Sequence, residues 1–319
     1  MNVLDTFLRH DNRQQQGSRS YINLHPSEFG GCLRRAQYKR YVDMGKLKLI
    51  PSDFDSKTLR LFGKGHNMHD RWATYWDKVG VLRGKWKCSN PMCRFFDDEG
   101  KPIKGLSKEE RDKILQKNKR RMYGDEVKIG IFKPESCVCG CPHFEYCEIK
   151  VHDEECQFEG HVDQVLDFSK LEKDQFEGVR STFNFDNLPS SPVVVDMKTC
   201  NARRFRKVLK DGPDDSYVVQ LTIYCNLLDC DYGILVYENK DDSTVAALKI
   251  EKNPELYEKI KEQARMMNEM SSDLRLPPPK PKTKASYECQ YCEFSTICHK
   301  SKIWRDPELD QKRQKFYPF

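Results

Sequence analysis

The stretch YECQYCEFSTIC, Tyr287 to Cys298, places three cysteines near the end of the chain, directly after the stiff run LPPPKPKTK. Three thiolates complete neither a tetrahedral ion nor a cubane cluster, each of which takes about four protein ligands. A fourth ligand has to arrive from elsewhere. A ligand drawn from far along the chain would tie two remote segments together and constrain the topology more than any single helix or strand pattern does.

No apolar run reaches the roughly 20 residues of a membrane span, and MNVLDTFLRHDNRQQQGSRS has no apolar stretch of signal-peptide length. A cytoplasmic location without membrane contact is expected, and in a reducing compartment clustered cysteines point to metal rather than disulfides. Of the 14 cysteines, Cys147, Cys156, Cys200, Cys225 and Cys230 sit among apolar neighbours and read as small core residues. Cys88 and Cys93 form one pair and Cys137, Cys139 and Cys141 offer another, on either side of the charged run LSKEERDKILQKNKRR. A polar segment of this length lacks a core and needs a staple. A structural zinc ribbon is the expected reading, with one of the five thiols spare and His143 and Cys147 as weaker candidates.

The 319 residues suffice for one large domain with an insertion, or for two domains. A helix is expected to start near Ser27, another to run over 56–78, and strands to lie at 158–168, 192–200, 232–239 and 244–250. DSYVVQLTIYCNLL reads as a helix with Gln220 and Tyr224 one turn apart, and a charged helix is expected over 253–273, exposed and available to an interface. Net charge is +6, with basic runs at CLRRAQYKR, QKNKRRMYG and NARRFRKVLK that suit a polyanion if they converge on one groove.

The chemistry concentrates on VVVDMKT. Asp196 and Lys198 interrupt an apolar strand, and being two apart they share a face. Burying them is costly unless they are paired or bind something. Asp163 lies in GHVDQVLDF, and His69 falls on a helical stripe with Trp72, Ala73 and Trp76. A lone histidine there would read as a core residue, but a helix His, a strand Asp, Asp-x-Lys and Gln-x-x-x-Tyr in that order form a set.

Gly65-x-x-x-His69, Gly160-His161-Val162-Asp163, Asp196-Met197-Lys198 and Gln220-x-x-x-Tyr224 together resemble the RecB-type branch of the PD-(D/E)XK nuclease superfamily. This chain has Asp-x-Lys where that branch commonly has Glu-x-Lys. The resemblance implies an α/β fold with a restriction-endonuclease-like core, a central mixed sheet flanked by helices, terminal segments joined by a metal cluster, and an inserted zinc ribbon. It implies that His69, Asp163 and Asp196 bind magnesium or manganese, that Lys198 assists the attacking water, and that Gln220 and Tyr224 face the DNA strand.

Some members of the branch, of the AddB type or CRISPR-associated RecB-like exonucleases, hold a four-iron cluster through one early cysteine and three late ones. Cys289, Cys292 and Cys298 match the late spacing, and Cys32 is the implied early ligand; zinc at the same four thiolates is the alternative. The expected division is 1–84, 85–147 (zinc lobe), 148–275 (nuclease core) and 276–319 (cluster segment).

The expected function is a metal-dependent exonuclease or flap nuclease on single-stranded DNA or DNA ends, with a non-catalytic DNA-binding subunit as the alternative. Arg34, Arg35, Arg203, Arg204 and Arg206 are candidates for phosphate contacts, and Tyr224 and Phe205 for base stacking. The chain has no Walker A match, so a helicase, single-strand-binding or recombination protein is the expected partner for duplex opening. A homo-oligomer is a further expectation.

Overall fold

The computed structural model describes residues 3–15, 20–48, 54–116, 120–171 and 192–317. Lys117 and Lys119 of one basic run therefore lie outside the described residues. Helices α1 (Val3–Gln15), α2 (Pro26–Phe29), α3 (Leu33–Asp43) and α4 (Ser56–Val79) precede strand β1 (Leu82–Cys88). The cysteine lobe contributes α5 (Lys108–Gln116), β2 (Met122–Tyr123), β3 (Ile131–Phe132) and β4 (Phe144–Cys147). Strands β5 (Ile149–Asp153), β6 (Phe158–Val162), β7 (Gln164–Leu166) and β8 (Val193–Cys200) follow, then helices α6 (Ala202–Asp211) and α7 (Asp215–Leu228). The chain continues through β9 (Tyr232–Asn239), β10 (Val245–Glu251), α8 (Pro254–Ser272), α9 (Tyr287–Gln290), α10 (Ser295–Lys300) and α11 (Leu309–Phe316).

The fold is mixed α/β. Its main sheet runs β10-β9-β8-β7-β1-β2, with β3 and β4 also paired to β1. Among the described strands of this sheet, β8 and β9 pair in parallel and the other neighbours are antiparallel; parallel neighbours need a crossover, and α6 with α7 supplies it. Because side chains alternate along a strand, β8 feeds two cores. Val193, Val195 and Met197 pack with Met68, Ala73 and Trp76 of α4 on one face. Val194 packs with Phe205 and Val208 of α6 and Leu221 and Tyr224 of α7 on the other. Asp196 and Lys198 share the parity of Val194.

Of the stripe expected on α4, Ala73 and Trp76 are buried and His69 and Trp72 half-buried. Met68 is buried as well, whereas Phe62 and His66 are exposed. The helix is bounded by Asp55, whose side chain accepts the Thr58 amide, and by Gly80 in the left-handed conformation that a side chain disfavours.

The strand expected over 158–168 is broken at Asp163. β6 pairs with β5 in a separate two-stranded sheet, and β7 joins the main sheet. The break has a physical cause, since the Asp163 side chain accepts the Met197 amide of β8 at 3.0 Å, where a continuous strand would present backbone.

A third cluster joins the two ends of the chain. Phe29, Leu33 and Ala36 pack with Val219 and Ile223 of α7, Ile260, Ala264 and Met267 of α8, and Phe316 of α11. The helix expected to lie free over 253–273 therefore has its apolar side covered, and only its charged side reaches solvent. The boundary expected at residue 85 falls inside β1, which pairs with β7 at Leu82 and Arg83 and with β4 from Lys85 to Cys88.

Candidate functional site

Where α4 passes the bend at Asp163, His69 Nδ1 lies 3.4 Å from Asp163 Oδ2. Ligand atoms of His69, Glu148 and Asp163 all fall within 4.8 Å of one another. Burial pulls the His69 pKa down, but the hydrogen bond and charge of Asp163 outweigh it and the net shift is upward. Burial would raise Asp163, yet its contacts with His69, Lys198 and the Met197 amide hold it below the usual carboxylate range. Glu148 is exposed at the surface, yet the partial desolvation of its carboxylate by the surrounding protein and the adjacent Asp163 carboxylate push it up to about 7, with His69 acting the other way. One imidazole nitrogen and two carboxylates form a donor set suited to a divalent cation.

Glu148 escaped the sequence reading. It sits between two short strands with no periodic signal, and only the fold brings it to His69.

Asp196 stands beside this group rather than inside it. Its side chain is 1% exposed; Oδ1 accepts from Gln220 Nε2 at 3.1 Å, and Oδ2 forms an ion pair with Lys198 Nζ at 2.6 Å. Lys198, on the same strand face, is the nearest positive charge, which explains why the aspartate turns to it. At that distance the ammonium is the partner of Oδ2, deep in the protein. Burial raises Asp196 to about 6, with Lys198 lowering and Asp163 raising it.

Gln220 and Tyr224 do not face outward as expected. Gln220 is buried on Asp196, and Tyr224, 3% exposed, donates to the His161 carbonyl at 2.9 Å. A side chain at Gly160 would meet the Tyr224 hydroxyl and Pro26 at 3.1 Å, so the glycine makes room for this contact. Tyr224 and Phe205 belong to the core and cannot stack on bases. Arg34 is likewise buried, donating to the Pro277 carbonyl and Ser301 Oγ, and Arg35 pairs with Glu293. Arg204 pairs with Asp214, while Arg203, Arg206, Lys207 and Lys210 of α6 are exposed.

In the lobe, the sulfurs of Cys88, Cys93, Cys137 and Cys139 lie within 4.8 Å of one another. Cys88 and Cys139 are 3.7 Å apart, and Cys93 and Cys137 3.3 Å. Two thiolates on a tetrahedral ion with bonds of about 2.3 Å stand roughly 3.8 Å apart, so this group can hold a metal. Burial opposes ionisation of Cys137, but the Cys139 amide, the Tyr123 hydroxyl and the neighbouring thiols bring it down to about 7, and thiolate is the ligand form. The spare thiol is Cys141, whose sulfur lies 3.6 Å from the His143 carbonyl instead.

Cys32, Cys289, Cys292 and Cys298 line one cavity of about 300 Å³ together with Arg34, Tyr38 and Tyr291. Their sulfurs do not form a group within 4.8 Å like that of the lobe. Burial pushes Cys292 up to about 11 and raises Cys298 against the pull of Arg34. The ends of the chain are fastened around this cavity: Tyr317 Oη accepts the Leu33 amide at 3.1 Å, and Tyr38 stacks on Phe294. Of the five cysteines expected in the core, Cys156, Cys225 and Cys230 are buried, and Cys147 and Cys200 are half-buried.

No protein-family model and no curated protein matches the chain. Among solved structures, the crystal structure of SSO0001 is similar over 93% of this chain and 96% of its own, at 15% identity and a TM-score of 0.42. Among the described residues no helix is long and apolar enough to cross a membrane.

Proposed function

We propose that the chain is a metal-dependent deoxyribonuclease of the restriction-endonuclease-like, RecB type. It would act as an exonuclease or flap nuclease on single-stranded DNA or DNA ends, in recombination, replication or repair. The observation that carries this reading is the meeting of His69 and Asp163 beside the buried Asp196 and Lys198 pair, four residues supplied by three separate motifs that the resemblance had grouped.

His69 and Asp163 would hold magnesium or manganese, with Asp196 Oδ2 as a further buried oxygen. The bound ion would supply positive charge to the phosphodiester and lower the pKa of a nucleophilic water. Lys198 places an ammonium at the same point, where it can hold a proton and stabilise negative charge on phosphate oxygens. Gln220 fixes the Asp196 carboxylate. The exposed arginines and lysines of α6 follow directly after β8, so a basic face begins where the catalytic strand ends and can track a phosphate backbone.

The lobe thiolates suit zinc, by their spacing. The wider set around the 300 Å³ cavity suits a 4Fe-4S cluster, in which each thiolate binds its own iron and the sulfurs stand further apart. Both metals would be structural, joining segments without breaking bonds. Protein purified anaerobically should be brown and hold about four irons per chain; colourless protein with zinc alone would overturn the cluster.

The activity is tested with end-labelled single-stranded and duplex DNA in manganese, for the wild type and Lys198→Ala. Manganese-dependent cleavage that the variant loses is expected. Equal cleavage by both, or none by the wild type, sinks the reading; binding without cleavage would favour an architectural DNA-binding subunit.

A further inference from the structure

We propose that Glu148 is a further protein ligand of the cation site, beside His69 and Asp163, positioned there by the cysteine lobe. The inference rests on the cation reading of His69 and Asp163 and adds a residue that none of the sequence motifs contains.

Glu148 is the single residue between β4 and β5, and both of its neighbours are fixed in register. Cys147 pairs with Lys85 of β1, the strand that ends in the lobe ligand Cys88. Ile149 pairs with Val162 of β6, the residue before Asp163. Two residues earlier, Tyr146 donates its hydroxyl to the Asp163 carbonyl at 2.9 Å. The Tyr146 ring lies over Gly84, where a Cβ would fall 2.2 Å from it, so β1 leaves room for the tyrosine to reach the bend. The backbone on both sides of Glu148 is thus clamped to the element that carries Asp163.

Glu148 is solvent-exposed. Among the described residues it has no hydrogen bond and no ion pair, yet its oxygen lies within 4.8 Å of ligand atoms of Asp163 and His69. Two carboxylates this close repel, and a structural role would be served as well by an amide. Hard divalent cations draw such oxygens together.

The test is calorimetric titration of Mn2+ into the full chain, without DNA. The wild type is expected to bind, and Glu148→Gln to bind at least about tenfold more weakly, the loss that removal of even a supporting partner brings. Glu148→Ala, which adds no polar group, is expected to lose as much and serves as the second variant. Asp163→Asn is expected to lose binding. Unchanged affinity in the Glu148 variants, with Asp163→Asn defective, overturns the Glu148 assignment and leaves the cation site standing. No Mn2+ binding by the wild type overturns the cation reading and this assignment with it.

Discussion

Asp163 Oδ2 sits 3.4 Å from His69 Nδ1 and accepts the Met197 amide at 3.0 Å. One oxygen thereby connects helix α4, the bend between β6 and β7, and the strand that carries Asp196 and Lys198. A helix and two strands that lie on opposite sides of the cysteine lobe in sequence are brought to a single point.

That pairing makes a pH prediction. His69 is raised, so its contribution to stability is present below its unfolded pKa of about 6.5 and is lost as pH rises through the folded value. Asp163 is lowered, so its contribution is present above the unfolded value and is lost as pH falls through the folded one. The pair therefore stabilises the metal-free protein in mildly acidic solution, by at most about 1 kcal/mol for a partly exposed pair. Thermal melting in chelator should show the wild type gaining on His69→Gln as pH falls from about 8 to about 5. Mn2+ affinity should move the other way, rising with pH as His69 gives up its proton.

Asp196 and Lys198 behave differently because burial dominates. Removing the ammonium in Lys198→Met leaves a carboxylate that is 1% exposed with only Gln220 as partner, and breaking a buried pair costs about 3–5 kcal/mol when the charge persists. Asp196 is already raised to about 6, and the substitution raises it further. A raised carboxylate favours the protonated native state, so the deficit should be large at about pH 8 and shrink at about pH 5. Denaturant melts at the two pH values check this; a deficit that does not vary with pH contradicts it.

Cys88, Cys93, Cys137 and Cys139 hold their sulfurs within 4.8 Å of one another, and Cys141 is not among them. Cys141→Ser should keep about one zinc per chain, and Cys139→Ser should lose it. Because Cys88 ends β1, and β1 pairs with β7 at its other end, zinc loss should also raise hydrogen exchange at Leu82 to Trp86. Exchange confined to residues beyond Cys88 would show the lobe to be independent of the sheet.

The parts of this fold that the sequence made legible are those with a strong local signature. β8 and β9 are apolar runs flanked by turn residues, and α8 is a charged helix started by the Asn253 cap, so their type and place could be read directly, as could the helical stretch of α7. Asp-x-Lys stood out because a charge pair inside VVVDMKT has no local justification. The break at Asp163 was hidden, since GHVDQVLDF alternates well enough to pass for one strand and only the distant Met197 amide explains the bend. Glu148 was hidden for the same reason, as its neighbours His69 and Asp163 are close in space alone. Tyr224 misled because an aromatic one turn from Gln220 fits a binding face as well as a core; the packing of α7 between two layers decides for the core. Cys141 could not be separated from Cys137 and Cys139 by spacing, since CVCGC offers three similar thiols and the turn alone selects two.

The last prediction concerns how the N-terminal segment is seated. Gly30 lies between α2 and Cys32, and a Cβ there would fall 2.1 Å from Ser216 Cα on α7. The obstacle is backbone, so no rotamer change relieves it, and one of the two segments has to move. Gly30→Ala should therefore destabilise by about 1–3 kcal/mol or more, as overpacking of a tight contact does. The displacement acts on two sites at once. On one side it shifts Cys32, which N-caps α3 and lines the four-cysteine cavity. On the other it shifts α7, whose Gln220 holds Asp196. Iron content and melting temperature should both fall in Gly30→Ala. The comparison that isolates the steric cause is Gly31→Ala, where the nearest atom is the Glu28 carbonyl at 3.2 Å and a far smaller effect is expected. Equal losses in the two variants would mean that chain flexibility in the Gly30 and Gly31 pair matters, rather than the approach to Ser216.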